Sequence, residues 1–181
     1  MAFGVFIHRA DSIYDDSPAE RYQFPGQYLS RATQCVGDWI VYYEPRKVTG
    51  SRGYYAVARV AQIVPDPTAN DMHLALIEPG SYLEFATPVP FQLNGGVAET
   101  GLLNELGRIS GRAQAAVRTM SAADFRRIVA GHHLAGTRQG GAQREVGESI
   151  ALVIAHGHQR QAVGFGHGRA WVFGPSTPNF G

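Results

Sequence analysis

Three aromatic rings stand among polar side chains in the stretch "DDSPAERYQFPGQYLSR", residues 15–31. Tyr22, Phe24 and Tyr28 are interleaved with Arg21, Gln23 and Arg31. An aromatic face is a stacking platform, a guanidinium fork matches a phosphate or a base edge, and an amide such as Gln23 both donates and accepts. A segment that only joins strands has no need of this set. A second group follows in "GDWIVYYEP", where Trp39, Tyr42 and Tyr43 precede Glu44. The loop "EPRKVTGSRG" then carries Arg46, Lys47 and Arg52, with Gly50 and Gly53 allowing a close backbone approach. It suits phosphate contact, joined by Arg21 and Arg31, and suits a solvated hairpin loop about as well. Arg108, Arg112 and Arg118 in "GRISGRAQAAVR" form another basic set. Asp15, Asp16 and Glu44 are the acids nearest the aromatics, and the two aspartates equally suit a turn or helix cap. His156 and His158 have a spacing that puts both on one strand face, but no acid or cysteine accompanies them as a further metal ligand.

The elements that must hold these residues are short. "FGVFIHR" (Phe3–Arg9) reads as a buried strand. "SPAE" is a helix start, with Ser17 as N-cap, Pro18 at N1 and Glu20 at N3, and Pro25 keeps that helix short. "PGQYLSRATQ" holds a second helical turn. Strands are expected over Val36–Pro45, Tyr54–Pro67, His73–Gly80 and Tyr82–Phe91. Within the first of these, alternation puts Trp39, Val41 and Tyr43 on one face and Ile40, Tyr42 and Glu44 on the other. Gly101–Arg118 is mixed, with weak helical character at its end. Ser121–His133 carries a capping pattern, Ser121 with Asp124, and apolar residues at helical spacing. The fold class is α+β: a small, partly open β-barrel of five or six strands with short helices packed outside, over residues 1–130. Residues 131–181 differ. They contain 11 of the 22 glycines and 5 of the 7 histidines, and read as a Gly/His-rich tail that folds poorly or is a truncated remnant. "ESIALVIAHG" and "RAWVFG" within it have strand character.

Composition bounds the function. The 181-residue chain is 17% charged with a net charge of +1, so any nucleic-acid site must be a local basic patch. Arginine supplies 15 of the 16 basic residues. Cys35 is the only cysteine, which excludes an intrachain disulfide and a cysteine-rich zinc site. The N-terminal residues lack a basic n-region and a long apolar run, so neither a signal peptide nor a membrane span is expected.

The order of these pieces resembles the EVE domains of the PUA superfamily. The matching pieces are the first strand, "SIYDDSPAERYQFPGQYL", "GDWIVYYEP", "GYYAVARVAQIVPDP", "LALIEPGSYLEFATPVPF" and "GRISGRAQAAVR". It especially resembles the EVE-like modules at the N-terminus of bacterial HNH restriction endonucleases. That resemblance implies a PUA-like barrel, related to YTH, ASCH and SRA domains, in a bacterial cytoplasm. It implies binding of double-stranded DNA that contains 5-methyl- or 5-hydroxymethylcytosine. The modified base would be flipped into an aromatic pocket, the chain being the reading module of a modification-dependent HNH restriction system. A flipped base must be stacked, and each aromatic platform recovers about 1–3 kcal/mol. Tyr14, Tyr22, Phe24, Trp39, Tyr42 and Tyr43 are the candidate platforms, and each equally suits a core position. Ser12, Asp15, Gln23 and Glu44 are candidates for the base edge, because the cytosine amine needs an acceptor. Arg21, Arg31, Arg46, Lys47 and Arg52 are the backbone contacts.

The chain departs from such relatives at its end. The ββα-metal element of an HNH nuclease is not matched, since His156, His158 and His167 are followed by no asparagine before Asn179. No catalytic residue, metal or cofactor is therefore expected, and a homodimer is left open. Three alternatives stand: an ASCH-like amidohydrolase for modified cytidine, using Lys47, Thr49 and Glu78; a reader of modified RNA; and a full restriction enzyme whose nuclease segment does not show the usual motif.

Overall fold

The apolar N-terminal run forms β1 (Phe3–Ile7), an interior strand of a sheet, one place from its edge and buried on both faces. The computed structural model describes residues 2–9, 14, 17–45 and 53–135, with 131–135 by backbone alone. The stretch "GTRQGGAQREVG" and all that follows, including the histidine pair 156 and 158, lie outside the described residues. β1 pairs in parallel with β3 (Trp39–Glu44), placing Phe6 opposite Tyr42. Its other edge pairs antiparallel with β9 (Val117–Met120). β3 runs antiparallel to β4 (Gly53–Pro65), a strand of 13 residues long enough to serve two partners on its far edge. β6 (Leu83–Val89) takes its first half and β5 (Met72–Ile77) its second. β2 (Arg21–Pro25) completes the order β2-β5-β4-β3-β1-β9, with β6 on β4. A small hairpin, β7 (Gln92–Leu93) and β8 (Gly96–Val97), turns at Asn94 and Gly95, both at positive φ. The helices are α1 (Leu29–Gln34) and α2 (Ala122–Ala135). No helix among the described residues is long and apolar enough to cross a membrane.

Two sequence expectations give way. No helix follows Ser17. Its carbonyl accepts from the N–H groups of Glu20 and Arg21, each at 2.7 Å, and the chain then goes extended as β2. The period-2 pattern of Tyr22 and Phe24 against Arg21 and Gln23 meets an open edge on β5, and strand pairing outweighs the helix-start signal. The expected helical end of "GRISGRAQAAVR" is a 3-10 turn at Gly111–Gln114 followed by β9, where β-branched Val117 and Thr119 fit a sheet.

The α+β class holds, and the sheet does not close into a barrel. No ladder joins the edge strands β2 and β9. The sheet curls far enough, however, for one side chain to span the gap. The Tyr22 hydroxyl on β2 donates to the Ile7 carbonyl at 2.7 Å and lies 3.4 Å from the Ala116 carbonyl just ahead of β9. Register shifts between Tyr42 and Tyr43 and between Val60 and Gln62 add twist where the sheet bends. Gly53 begins β4 at φ +69, and a Cβ there would meet the Val89 carbonyl at 2.5 Å, so only glycine lets β6 end against β4.

Both faces of the sheet are covered. The inner face buries Phe6, Tyr22, Phe24, Ile40, Tyr42 and Tyr55 over α1. The outer face buries Val5, Val41, Tyr43 and Tyr54 against Phe125, Ile128 and Val129 of α2. α2 starts as the capping pattern requires, the Ser121 hydroxyl accepting from the Asp124 N–H at 3.0 Å. The Asp124 carboxylate is 1% exposed and accepts from the Thr100 N–H and hydroxyl, the Gly101 N–H and Arg127. Burial pulls its pKa up, but these bonds outweigh it and hold the carboxyl below its usual value. A depressed pKa adds stability above the unfolded value of about 4, and that stability drains as pH falls through the folded pKa. Asp124→Asn is expected to cost about 2–3 kcal/mol at pH 7. The gap to the wild type should narrow below about pH 4, which urea melts at pH 7 and pH 3 would read.

Candidate functional site

The inner face of the sheet carries an aromatic cluster centred on Tyr42. Its ring lies 6.0 Å from Tyr55, 6.1 Å from Tyr82, 6.2 Å from Tyr22 and 6.3 Å from His8. The Tyr42 hydroxyl donates to the Pro18 carbonyl at 3.0 Å, which ties β3 to the turn before β2. Tyr55 owes its place to the sheet. Tyr43 opposes Tyr54 and Tyr42 opposes Ala56, so Tyr55 is the extra residue of a bulge. Freed from alternation, it turns to the inner face while Tyr54 keeps the outer one. Its hydroxyl is 2.7 Å from His8 Nδ1. His8 follows β1, held by its N–H on the Tyr43 carbonyl at 3.0 Å. Tyr82 precedes β6 and donates to Glu84 at 2.8 Å.

Exposure grades across this cluster. Tyr42 and Tyr55 are buried, whereas His8 and Tyr82 are partly exposed. The cluster thus runs from the core to the surface. Glu44, at the end of β3, is 3% exposed, and alternation puts it on Tyr42's face. A buried carboxyl group on that face is an acceptor suited to an amine donor.

The sequence candidates divide on these facts. Tyr42 lies in the cluster on the inner face, and alternation puts Glu44 on that face two residues on. Tyr22 and Phe24 also face inward, but at 2% and 0% exposure they pack as core, Phe24 stacking on His73 at 5.8 Å. Trp39 and Tyr43 lie on the outer face, away from Tyr42. Gln23 points away from Tyr22 and Phe24 and donates to the Asp66 carboxylate. Asp66, partly exposed, is held below its usual pKa by the Thr68 hydroxyl and N–H and by Gln23. Tyr14 is exposed at 38%. Arg21 is half-buried on β2, and Arg31 is exposed on α1 with its guanidinium over the Tyr28 ring at 5.9 Å. Ser12, Asp15, Arg46, Lys47 and Arg52 lie outside the described residues, as does Thr49. Glu78 accepts from Arg59 at 2.9 Å.

Arg118 is not a surface residue. It is 2% exposed on β9, forked onto Glu99 at 2.5 and 3.0 Å, with the Tyr54 hydroxyl on the same carboxylate at 2.5 Å. The Tyr43 ring lies under its guanidinium at 5.7 Å. Cys35 is also sealed. Burial, helped by the charge of Asp38, pushes its thiol up to about 12, so it stays protonated and unreactive at neutral pH. No grouping of three His, Cys, Asp or Glu side chains suited to a metal ion occurs among the described residues.

The residues that sequence reasoning missed are His8, Tyr55 and Tyr82. His8 had a signal, a polar ring ending an apolar strand. Tyr55 had none, because its direction depends on the bulge. Comparison of the chain with known protein families, characterised proteins and solved structures finds no match.

Proposed function

We propose that the chain is a reader of modified DNA, binding duplexes that contain 5-methyl- or 5-hydroxymethylcytosine by taking the flipped base against the Tyr42 cluster. In this reading the curled sheet is an open form of a PUA-like barrel of the EVE kind, and the chain serves an HNH restriction system. The supporting observation is the aromatic path from buried Tyr42 and Tyr55 to partly exposed Tyr82 and His8, with buried Glu44 on the same face. Tyr82 and His8 would stack on the base. The bond from Tyr55 to His8 would fix the imidazole, and Glu44 would accept from the cytosine amine. Arg21 and Arg31, with Arg46, Lys47 and Arg52, would meet the phosphates.

Mobility shifts with methylated, hydroxymethylated and plain duplexes test this. At least one modified duplex is expected to bind about tenfold or more tighter than the plain one, with affinity falling steeply as salt rises. Equal affinity for all three ends the reading. Tyr82→Ala should weaken modified-duplex binding by about 5- to 100-fold while leaving the melting temperature nearly unchanged, since Tyr82 is only partly buried. Competition by modified single-stranded RNA would instead favour an RNA reader.

A further inference from the structure

The largest exposed apolar side chains among the described residues, after Tyr14, gather in one loop. Leu103 is 37%, Ile109 52% and Leu106 77% exposed. The loop does not lack order. Leu103 and Ile109 form a bridge, and the Ser110 N–H donates to the Leu102 carbonyl at 2.8 Å. The Asn104 carboxamide accepts from the N–H groups of Leu106 at 3.0 Å and Arg108 at 2.9 Å. The Asn104 N–H returns a bond to the Arg108 carbonyl, and Gly107 turns the tip at φ +70. A loop so stapled holds its leucine out at a standing cost in exposed apolar area. Arg108 and Arg112 flank the apolar residues, are exposed, and have no acidic partner among the described residues. Glu105 is the one acid between Leu103 and Arg112.

The chain that leaves the loop runs on to the strand beside the site. Beyond Ser110 the 3-10 turn Gly111–Gln114 leads to Ala116. The Ala116 carbonyl accepts from the Ile7 N–H at 2.8 Å, one residue before His8. The strand end that presents His8 therefore holds the chain six residues beyond the loop.

We infer that the loop Leu103–Ser110 is a wedge that enters a DNA duplex beside the flipped base, Leu106 filling the vacated stack while Arg108 and Arg112 hold the adjoining phosphates. This rests on the base-reading proposal above. An apolar side chain pushed between base steps is a known way to offset unstacking, and it requires what this loop has: an exposed aliphatic tip, a rigid support and nearby cations. Two unpaired arginines with one acid fall short of the basic clusters that hold proteins on anionic lipid. In a tip-to-tip contact between two copies the same arginines would face each other and repel.

The test uses the full chain, the double variant Leu106→Ala/Ile109→Ala, and two probes. One is a duplex with a single 5-methylcytosine next to 2-aminopurine; the other is the same strand unpaired, where no stack has to be opened. The variant is expected to lose duplex affinity by at least about tenfold, and with it the rise in 2-aminopurine fluorescence. It should keep single-strand affinity within about twofold, because the base cluster is untouched. Unchanged duplex affinity and fluorescence in the variant would overturn the wedge. So would loss of vesicle sedimentation or of self-association with duplex affinity intact. Failure of the wild-type chain to prefer modified over plain DNA would remove the base-reading proposal itself, and shows before any variant is made.

Discussion

Arg118→Met is expected to lower the unfolding free energy by about 3–5 kcal/mol. Arg118 and Glu99 are each 2% exposed, so neither charge has solvent to fall back on. The guanidinium forks both carboxylate oxygens, and the carboxylate also takes the Tyr54 hydroxyl at 2.5 Å. Burial pulls the Arg118 pKa down, yet the bonds and charge of Glu99 outweigh it and the pKa ends raised, so the group stays charged. Burial and the neighbouring carboxylate push Tyr54 upward, which keeps its hydroxyl a donor. Removing Arg118 leaves an uncompensated buried anion. Glu99→Gln leaves the buried cation and should cost a similar amount. Combined, Glu99→Gln and Arg118→Met should recover much of the loss, because the glutamine still accepts from Tyr54 and no net charge remains buried. A double-mutant cycle in guanidinium chloride gives the coupling. A cost below about 1 kcal/mol for either single change would mean that water reaches the pair.

Phe24→Ala is expected to cost about 3–5 kcal/mol through the cavity it leaves. The ring is fully buried, stacked between Tyr22 at 6.3 Å and His73 at 5.8 Å. The contrast is with Tyr82→Ala, whose effect should appear in DNA affinity and hardly in stability. Thermal melts and mobility shifts on the two variants separate core aromatics from site aromatics. If Phe24→Ala instead melted like the wild type and bound modified DNA poorly, the ring would belong to the pocket.

The prominent aromatic stretch "RYQFP" is legible as chemistry but misleading as a site. Its alternation is correct, and the same alternation that presents Tyr22 and Phe24 delivers them to the core once β5 pairs with β2. The strand "WIVYYE" was fully readable: Trp39 and Tyr43 face outward and Tyr42 inward, as a period of two demands. The Asn94-Gly95 turn of the β7–β8 hairpin was missed, although that dipeptide favours two successive positive-φ residues. Arg118 was not readable. Nothing in "AAVR" separates a phosphate contact from a core guanidinium, because the difference is a glutamate 19 positions earlier in the chain.

The sequence by itself determined local matters: strand periods, the Ser121 cap, the core character of the apolar runs, and the kinds of residue available for stacking and phosphate contact. Those follow from the two-residue and 3.6-residue periods of the backbone and from side-chain chemistry, neither of which needs a partner. Only the tertiary structure decided that the sheet curls without closing, that Arg118 lies sealed against Glu99, and that Tyr55, His8 and Tyr82 meet around Tyr42. Those outcomes depend on register, on a bulge that re-aims one side chain, and on contacts between residues far apart in the chain. A one-residue change in pairing would reverse them while leaving every local signal the same.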